Sequence, residues 1–139
     1  MKLKEIMTKD VEVIHPDEPL RAVAQKMRAR DIGFLPVCDG DRLIGVVTDR
    51  DIIVRATAEG MDPNGIIGRD LMTSPIIYCF DDQDVEEAAR VMEQNQIRRV
   101  AVLSRADKRL VGVVSLGDIA TNGTKDVSAE VLQSVSEPG

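Results

Sequence analysis

Tryptophan is absent from the 139 residues, and the rings present are one tyrosine, Tyr78, and two phenylalanines, Phe34 and Phe80. Such a chain offers no row of aromatic platforms on which single-stranded bases stack, so a bound base would lie between aliphatic side chains. Histidine occurs once, at His15, and the two cysteines, Cys38 and Cys79, have no CxxC spacing. Soft ligands are therefore too few for a structural zinc site, and no metal is expected. The same scarcity leaves no Ser/His/Asp set, and there is no phosphate loop of the Walker type. Asp49 and Asp51 are close in sequence but stand without such partners, so the chain is expected to have no catalytic residues and not to be an enzyme. No segment approaches the roughly 18 apolar residues of a membrane span, and Met1–Ile6 lacks the apolar core of a signal peptide. A reduced cytoplasm is the expected location, with no membrane contact. Excess positive charge is missing too: 18 Lys and Arg against 24 Asp and Glu give a net charge of −6. That argues against nucleic acid as a partner, because binding to a phosphate backbone needs clustered cations. Any anionic ligand must be held locally.

What is present is a repeat. Ile6-Met7-Thr8 returns as Leu71-Met72-Thr73, and Asp17, Leu20, Ala24, Met27 and Ile32 return as Asp82, Val85, Ala89, Met92 and Ile97, all 65 positions later. By Gly45 and Gly112 the offset is 67, so the second copy carries two extra residues in the turn around Ser104–Lys108. A hydrophobic fraction of 43% suits an ordinary globular chain. Within each copy the pattern reads strand, helix, strand, strand, helix. Val11–Ile14 alternates as a short strand ended by Pro16. Leu20, Val23, Ala24 and Met27 form one stripe of a helix opened by Asp17 and Pro19, and Val85, Ala88, Ala89 and Met92 form its counterpart. Both stripes are expected in the core. Phe34–Val37 and Leu43–Val47 flank the turn signal Asp39-Gly40-Asp41. Ile76–Tyr78, Val100–Leu103 and Leu110–Val114 are the corresponding strands of the second copy. We expect an α/β (α+β) fold in which copy 1 spans 1–60, a linker 61–70 and copy 2 71–121, the copies packing about a pseudo-twofold axis. Residues 122–139 form a tail, with a short amphipathic helix expected over 128–135.

The repeat culminates in Gly45-Val46-Val47-Thr48-Asp49-Arg50-Asp51-Ile52 and Gly112-Val113-Val114-Ser115-Leu116-Gly117-Asp118-Ile119. Each copy sets an Asp three positions after a hydroxyl residue, on the turn from a buried strand into a helix. Such a turn suits a sugar or an anion. It also fits a helix capping box, in which the hydroxyl accepts from the third amide of the helix and the acid reaches back. The box prefers Glu or Gln where both copies carry the shorter Asp, which favours a ligand role.

The repeat, the βαββα order and the doubled Gly-x-x-Thr/Ser-x-x-Asp turn resemble the cystathionine β-synthase (CBS) domain family from about Leu3 to Ala120. The chain is similar to a small bacterial stand-alone pair, or Bateman module. The resemblance implies regulation by an adenosine derivative, AMP, ADP, ATP or S-adenosylmethionine, with no obligatory cofactor. It also implies a homodimer, a four-repeat disc, acting on a protein partner that the sequence does not name; a ligand-free scaffold is the alternative. In the family the Asp accepts from ribose hydroxyls and the Thr or Ser contacts ribose or phosphate, which assigns Thr48, Asp51, Ser115 and Asp118. A carboxylate accepts only and so suits a vicinal diol. Basic residues before the second strand hold phosphate, which assigns Arg98 and Arg99. The first copy has Gly33 and Phe34 there, with Arg50 and Arg55 as substitutes, so unequal sites are expected. Arg98 and Arg99 also read as a solvated pair covering the acidic stretch Asp81–Asp84. Base contacts are expected around Val13, Ile14, Ile76, Ile77, Pro36 and Ala101.

Overall fold

The computed structural model describes residues 1–122, so the helix expected over 128–135 lies outside them. Two compact units emerge, and they do not coincide with the two copies. The first unit is Glu12–Ile76; the second combines Met1–Val11 with the chain from Ile77 onward.

In the first unit, helix α1 (Leu20–Arg30) starts at the extended Pro19 and stops where Asp31 turns left-handed at φ 53°. Asp is one of the few residues that adopt this conformation readily, so the stop is local. Leu20, Val23 and Met27 are buried, whereas Ala24 is exposed. The apolar stripe is therefore narrower than the sequence predicts. Strands β1 (Phe34–Asp39) and β2 (Arg42–Thr48) form an antiparallel hairpin. Its turn is Gly40 and Asp41, with Gly40 at φ 60°, which glycine adopts without a Cβ penalty. Val11–Ile14 does not form the expected strand. Ile14 alone bridges Val37 in parallel, its amide donating to the Pro36 carbonyl at 2.9 Å, and the chain passes from one unit to the other between Val11 and Glu12. After β2 one turn of helix α2 (Asp49–Asp51) continues as a π-helix over Ile52–Thr57, in place of the expected regular helix. Ala58 N donates to Ile53 O at 2.9 Å and Met61 N to Ala56 O at 3.0 Å, both spanning five residues. Helix α3 (Gly68–Leu71) follows. The core gathers Ile14, Leu20, Val23, Leu35, Val37, Val47, Ile66 and Leu71. Full burial of one such side chain is worth about 1.5–3 kcal/mol.

The second unit holds a three-stranded sheet. Strand β3 (Tyr78–Phe80) runs parallel to β4 (Arg99–Leu103), and β4 pairs antiparallel with β5 (Leu110–Ser115). Helix α4 (Val85–Asn95) buries Val85, Ala88, Ala89 and Met92, as its stripe predicts, and α5 (Leu116–Asn122) closes the described chain. Leu3, fully buried, belongs to this core, and its amide donates to Gln83 O at 2.9 Å.

Each unit thus receives a short arm from the copy that the sequence assigns to the other. Thr8 bridges Val113 of β5 in the second unit, and Thr73 bridges Val46 of β2 in the first. The motif glycines admit these arms. A Cβ at Gly112 would stand 2.6 Å from Met7 Sδ, and one at Gly45 2.7 Å from Met72 Sδ.

Candidate functional site

Both turns form complete caps. In the first unit Asp51 N donates to Thr48 Oγ1 at 3.2 Å, and Asp51 Oδ2 accepts from Thr48 N at 2.9 Å and Thr48 Oγ1 at 3.0 Å. In the second, Asp118 N donates to Ser115 Oγ at 3.1 Å and Asp118 Oδ2 accepts from Ser115 N at 2.9 Å. Asp is long enough to close the box, so its choice over Glu does not by itself separate ligand from cap.

The second carboxylate oxygens differ. Asp51 Oδ1 accepts from Thr73 Oγ1 at 3.2 Å and lies 3.7 Å from Arg55 Nε. Asp118 Oδ1 has no hydrogen-bond partner among the described residues. The role of Thr73 escaped the sequence reading; its trace is the repeated Met-Thr pair at positions 7–8 and 72–73. Arg55, expected to assist phosphate, instead faces Asp51 and donates to Met72 O at 3.3 Å.

Strand register brings the remaining second-copy residues to the same end of the sheet. Arg99 stands opposite Ser115, and Leu116 N donates to Arg98 O at 3.0 Å. Both arginines are exposed, and neither guanidinium has a partner among the described residues. The acidic stretch they were weighed against is served by other cations: Asp82 by Arg105 at 2.7 Å and Asp84 by Lys2 at 3.3 Å. In the first unit the equivalent contact is Asp49 N to Gly33 O at 3.0 Å. There the Asp49 carboxylate closes over the glycine, 2.5 Å from where a Cβ would stand. A side chain of any size at position 33 would displace it. The cationic pair of one turn is thus matched by an added carboxylate in the other.

Of the residues expected near a base, Val13, Ile14 and Pro36 lie in the first unit, where Ile76 is the final residue; Ile77 and Ala101 lie in the second. Ile14, Pro36 and Ala101 are buried, while Ile77 is exposed. Arg50 is exposed, with its amide donating to Asp49 Oδ1 at 2.8 Å. Both cysteines are buried free thiols. Burial, with Glu87 adding, pushes Cys79 up to about 11, and burial, with Asp41 adding, also raises Cys38. Neither is an activated nucleophile. Among the described residues no three His, Cys, Asp or Glu side chains gather to hold a metal, and no helix is long and apolar enough to cross a membrane.

The chain is 39% identical over 136 residues to hypoxic response protein 1 of Mycobacterium tuberculosis, covering 97% of this chain and 94% of that one. The crystal structure of hypoxic response protein I with two coordinated zinc ions is similar at a TM-score of 0.82 and 42% identity, over 89% of this chain and all of the other. A CBS domain pair crystallised with 5′-methylthioadenosine and S-adenosyl-L-methionine is similar at a TM-score of 0.76 and 27% identity, over 87% of this chain and 94% of that one. Tandem modules of this kind are regulatory and often bind adenosine ligands. The CBS domain model matches residues 3–57 and 67–123, and the chain belongs to the CBS domain family.

Proposed function

We propose that this chain is a regulatory sensor of an adenine nucleotide of the AMP, ADP or ATP type, and that the second-copy turn is its principal site. One observation carries the reading. The guanidiniums of Arg98 and Arg99, without a partner among the described residues, share a sheet end with Ser115 and with Asp118, whose Oδ1 likewise has none among them. A vicinal diol requires an acceptor and a phosphate requires fixed cations, and charge-assisted bonds to either are about twice as strong as neutral ones. The neighbour that holds methylthioadenosine and S-adenosylmethionine supports the adenosine class and keeps S-adenosylmethionine as a possible ligand. Ligand binding would act on a protein partner by favouring one arrangement of the module, to the extent of its differential affinity. A homodimer in the cytoplasm is the expected form. Ile53 and Val54, 62% and 53% exposed on the π-helical turn, are apolar surface available to such an association.

The second reading is a ligand-free dimeric scaffold, favoured by the completeness of both caps. Calorimetric and thermal titration with AMP, ADP, ATP and S-adenosylmethionine separates the two. A ligand at about 100 times its dissociation constant should add roughly 2.7 kcal/mol of stability. The double variant Arg98→Ala/Arg99→Ala should weaken AMP at least tenfold, by about 1.4 kcal/mol, and adenosine far less. No response to any of the four at millimolar concentration would leave the scaffold.

A further inference from the structure

The two turns share one design and differ in what occupies the carboxylate. Asp51 is only 13% exposed, and both of its oxygens are engaged: Oδ2 by the Thr48 amide and hydroxyl, Oδ1 by the Thr73 hydroxyl with the Arg55 guanidinium 3.7 Å away. Thr73 is not there by the accident of a free rotamer. Its amide donates to Val46 O at 2.8 Å, its carbonyl accepts from Val46 N at 3.4 Å, and the preceding Met72 packs where Gly45 lacks a Cβ. Arg55 donates to Met72 O from the other side. The arm is thus fixed at both residues, with its hydroxyl on the carboxylate.

In the second unit the same backbone is present without the same contacts. Thr8 bridges Val113 by two bonds of 2.9 and 3.0 Å, yet among the described residues its hydroxyl bonds to nothing. Asn122 stands in the position of Arg55, and its side chain donates to the Asp118 carbonyl at 3.1 Å rather than to the carboxylate. Among the described residues Asp118 Oδ1 therefore has no partner.

A carboxylate has acceptor sites on two oxygens and donates nothing while ionised. A diol placed on Asp118 meets open acceptor capacity. One placed on Asp51 must first displace the hydroxyl and the guanidinium. We propose that Thr73 and Arg55 act as an internal occupant of Asp51, which excludes diol ligands from the first-copy turn and limits the chain to one nucleoside ligand, bound through Asp118. This rests on the sensor reading for the class of ligand, and it adds the number of sites and the residues that set it. Removing the occupant should expose a second site. It should show little preference for AMP over adenosine, because Gly33 and Phe34 replace the arginine pair.

The test is the stoichiometry of adenosine and AMP binding to the full chain by isothermal titration calorimetry. The unaltered protein should bind one equivalent, and Asp118→Asn should abolish it. Thr73→Val with Arg55→Met, which keeps side-chain bulk, should bind two equivalents of adenosine. Adding Asp51→Asn to that variant should return it to one. Thr73→Ser, which keeps the hydroxyl, should remain at one and serves as the check on folding together with an unchanged circular dichroism spectrum. Two equal equivalents on the unaltered chain, or a folded double variant that still binds one, overturns the inference while leaving the sensor reading intact. Binding that appears only once Thr73 and Arg55 are replaced supports the occupant and overturns the sensor reading. Absence of binding in every variant overturns both.

Discussion

Gly45 and Gly112 begin the motif because a methionine side chain passes where their Cβ atoms would be, and the two positions are not equally forgiving. At Gly45 the nearest atoms all belong to the Met72 side chain, which has rotatable bonds to yield with. At Gly112 the Thr8 carbonyl is also within 2.9 Å, and that carbonyl accepts from Val113 N. Overpacking of this kind typically costs about 1–3 kcal/mol. We expect Gly112→Ala near the upper end of that range and Gly45→Ala near the lower, measured by urea unfolding; equal losses would mean that the carbonyl contact is not what sets the cost. At this scale the sequence marks residue types and spacing and is silent about the contacts they make. The spacing of Thr48 and Asp51 marks a turn, but the hold of Thr73 on Asp51 depends on an arm 22 residues downstream. Arg98 and Arg99 were readable as cations. That nothing among the described residues claims them, while Arg105 and Lys2 serve the acidic stretch, is a matter of packing.

The two-residue excess of the second hairpin belongs to the scale of elements. It carries Arg105 to Asp82, with Nε 2.7 and 2.9 Å from the carboxylate oxygens, and lays the guanidinium 4.2 Å from the Phe80 ring centre. The Arg105 hydrogen bond holds the Asp82 carboxyl below its ordinary value. A depressed native value means that the unfolded chain takes up the proton first as pH falls. The contact therefore supports the fold above the ordinary aspartate range and fades through it on acidification. In Arg105→Ala the Asp82 carboxyl should titrate near the ordinary value by NMR, and an unmoved titration would show that Arg105 is not its cause. Helices α1 and α4 were legible because a 3.6-residue stripe survives in sequence. The π-helical turn was not, since a bond to the fifth residue leaves no mark in residue types. The alternation of Val11–Ile14 reads as a strand, yet a unit boundary falls within it, and period alone carries no information about where a chain changes neighbours.

At the scale of the whole chain, the repeat could be read from a near-constant offset, but the exchange of arms could not, because the offset is the same whichever body receives each arm. The exchange has a measurable result. A fragment covering 1–60 carries the second unit's arm and lacks its own, and one covering 61–139 has the converse deficit. Each expressed alone should be poorly folded by circular dichroism, and the two expressed together should co-purify as a folded pair. Independent folding of either would mean that the arms contribute little. The same exchange describes what the connecting segment accomplishes. A single copy built on this plan would complete its body only with the arm of a second molecule, as two protomers do when they swap a terminal segment. Joining the copies makes that trade intramolecular, so the encounter depends on the reach of a tether rather than on how much protein is present. Dilution, which would dissolve a swapped pair, leaves each arm beside the body that needs it.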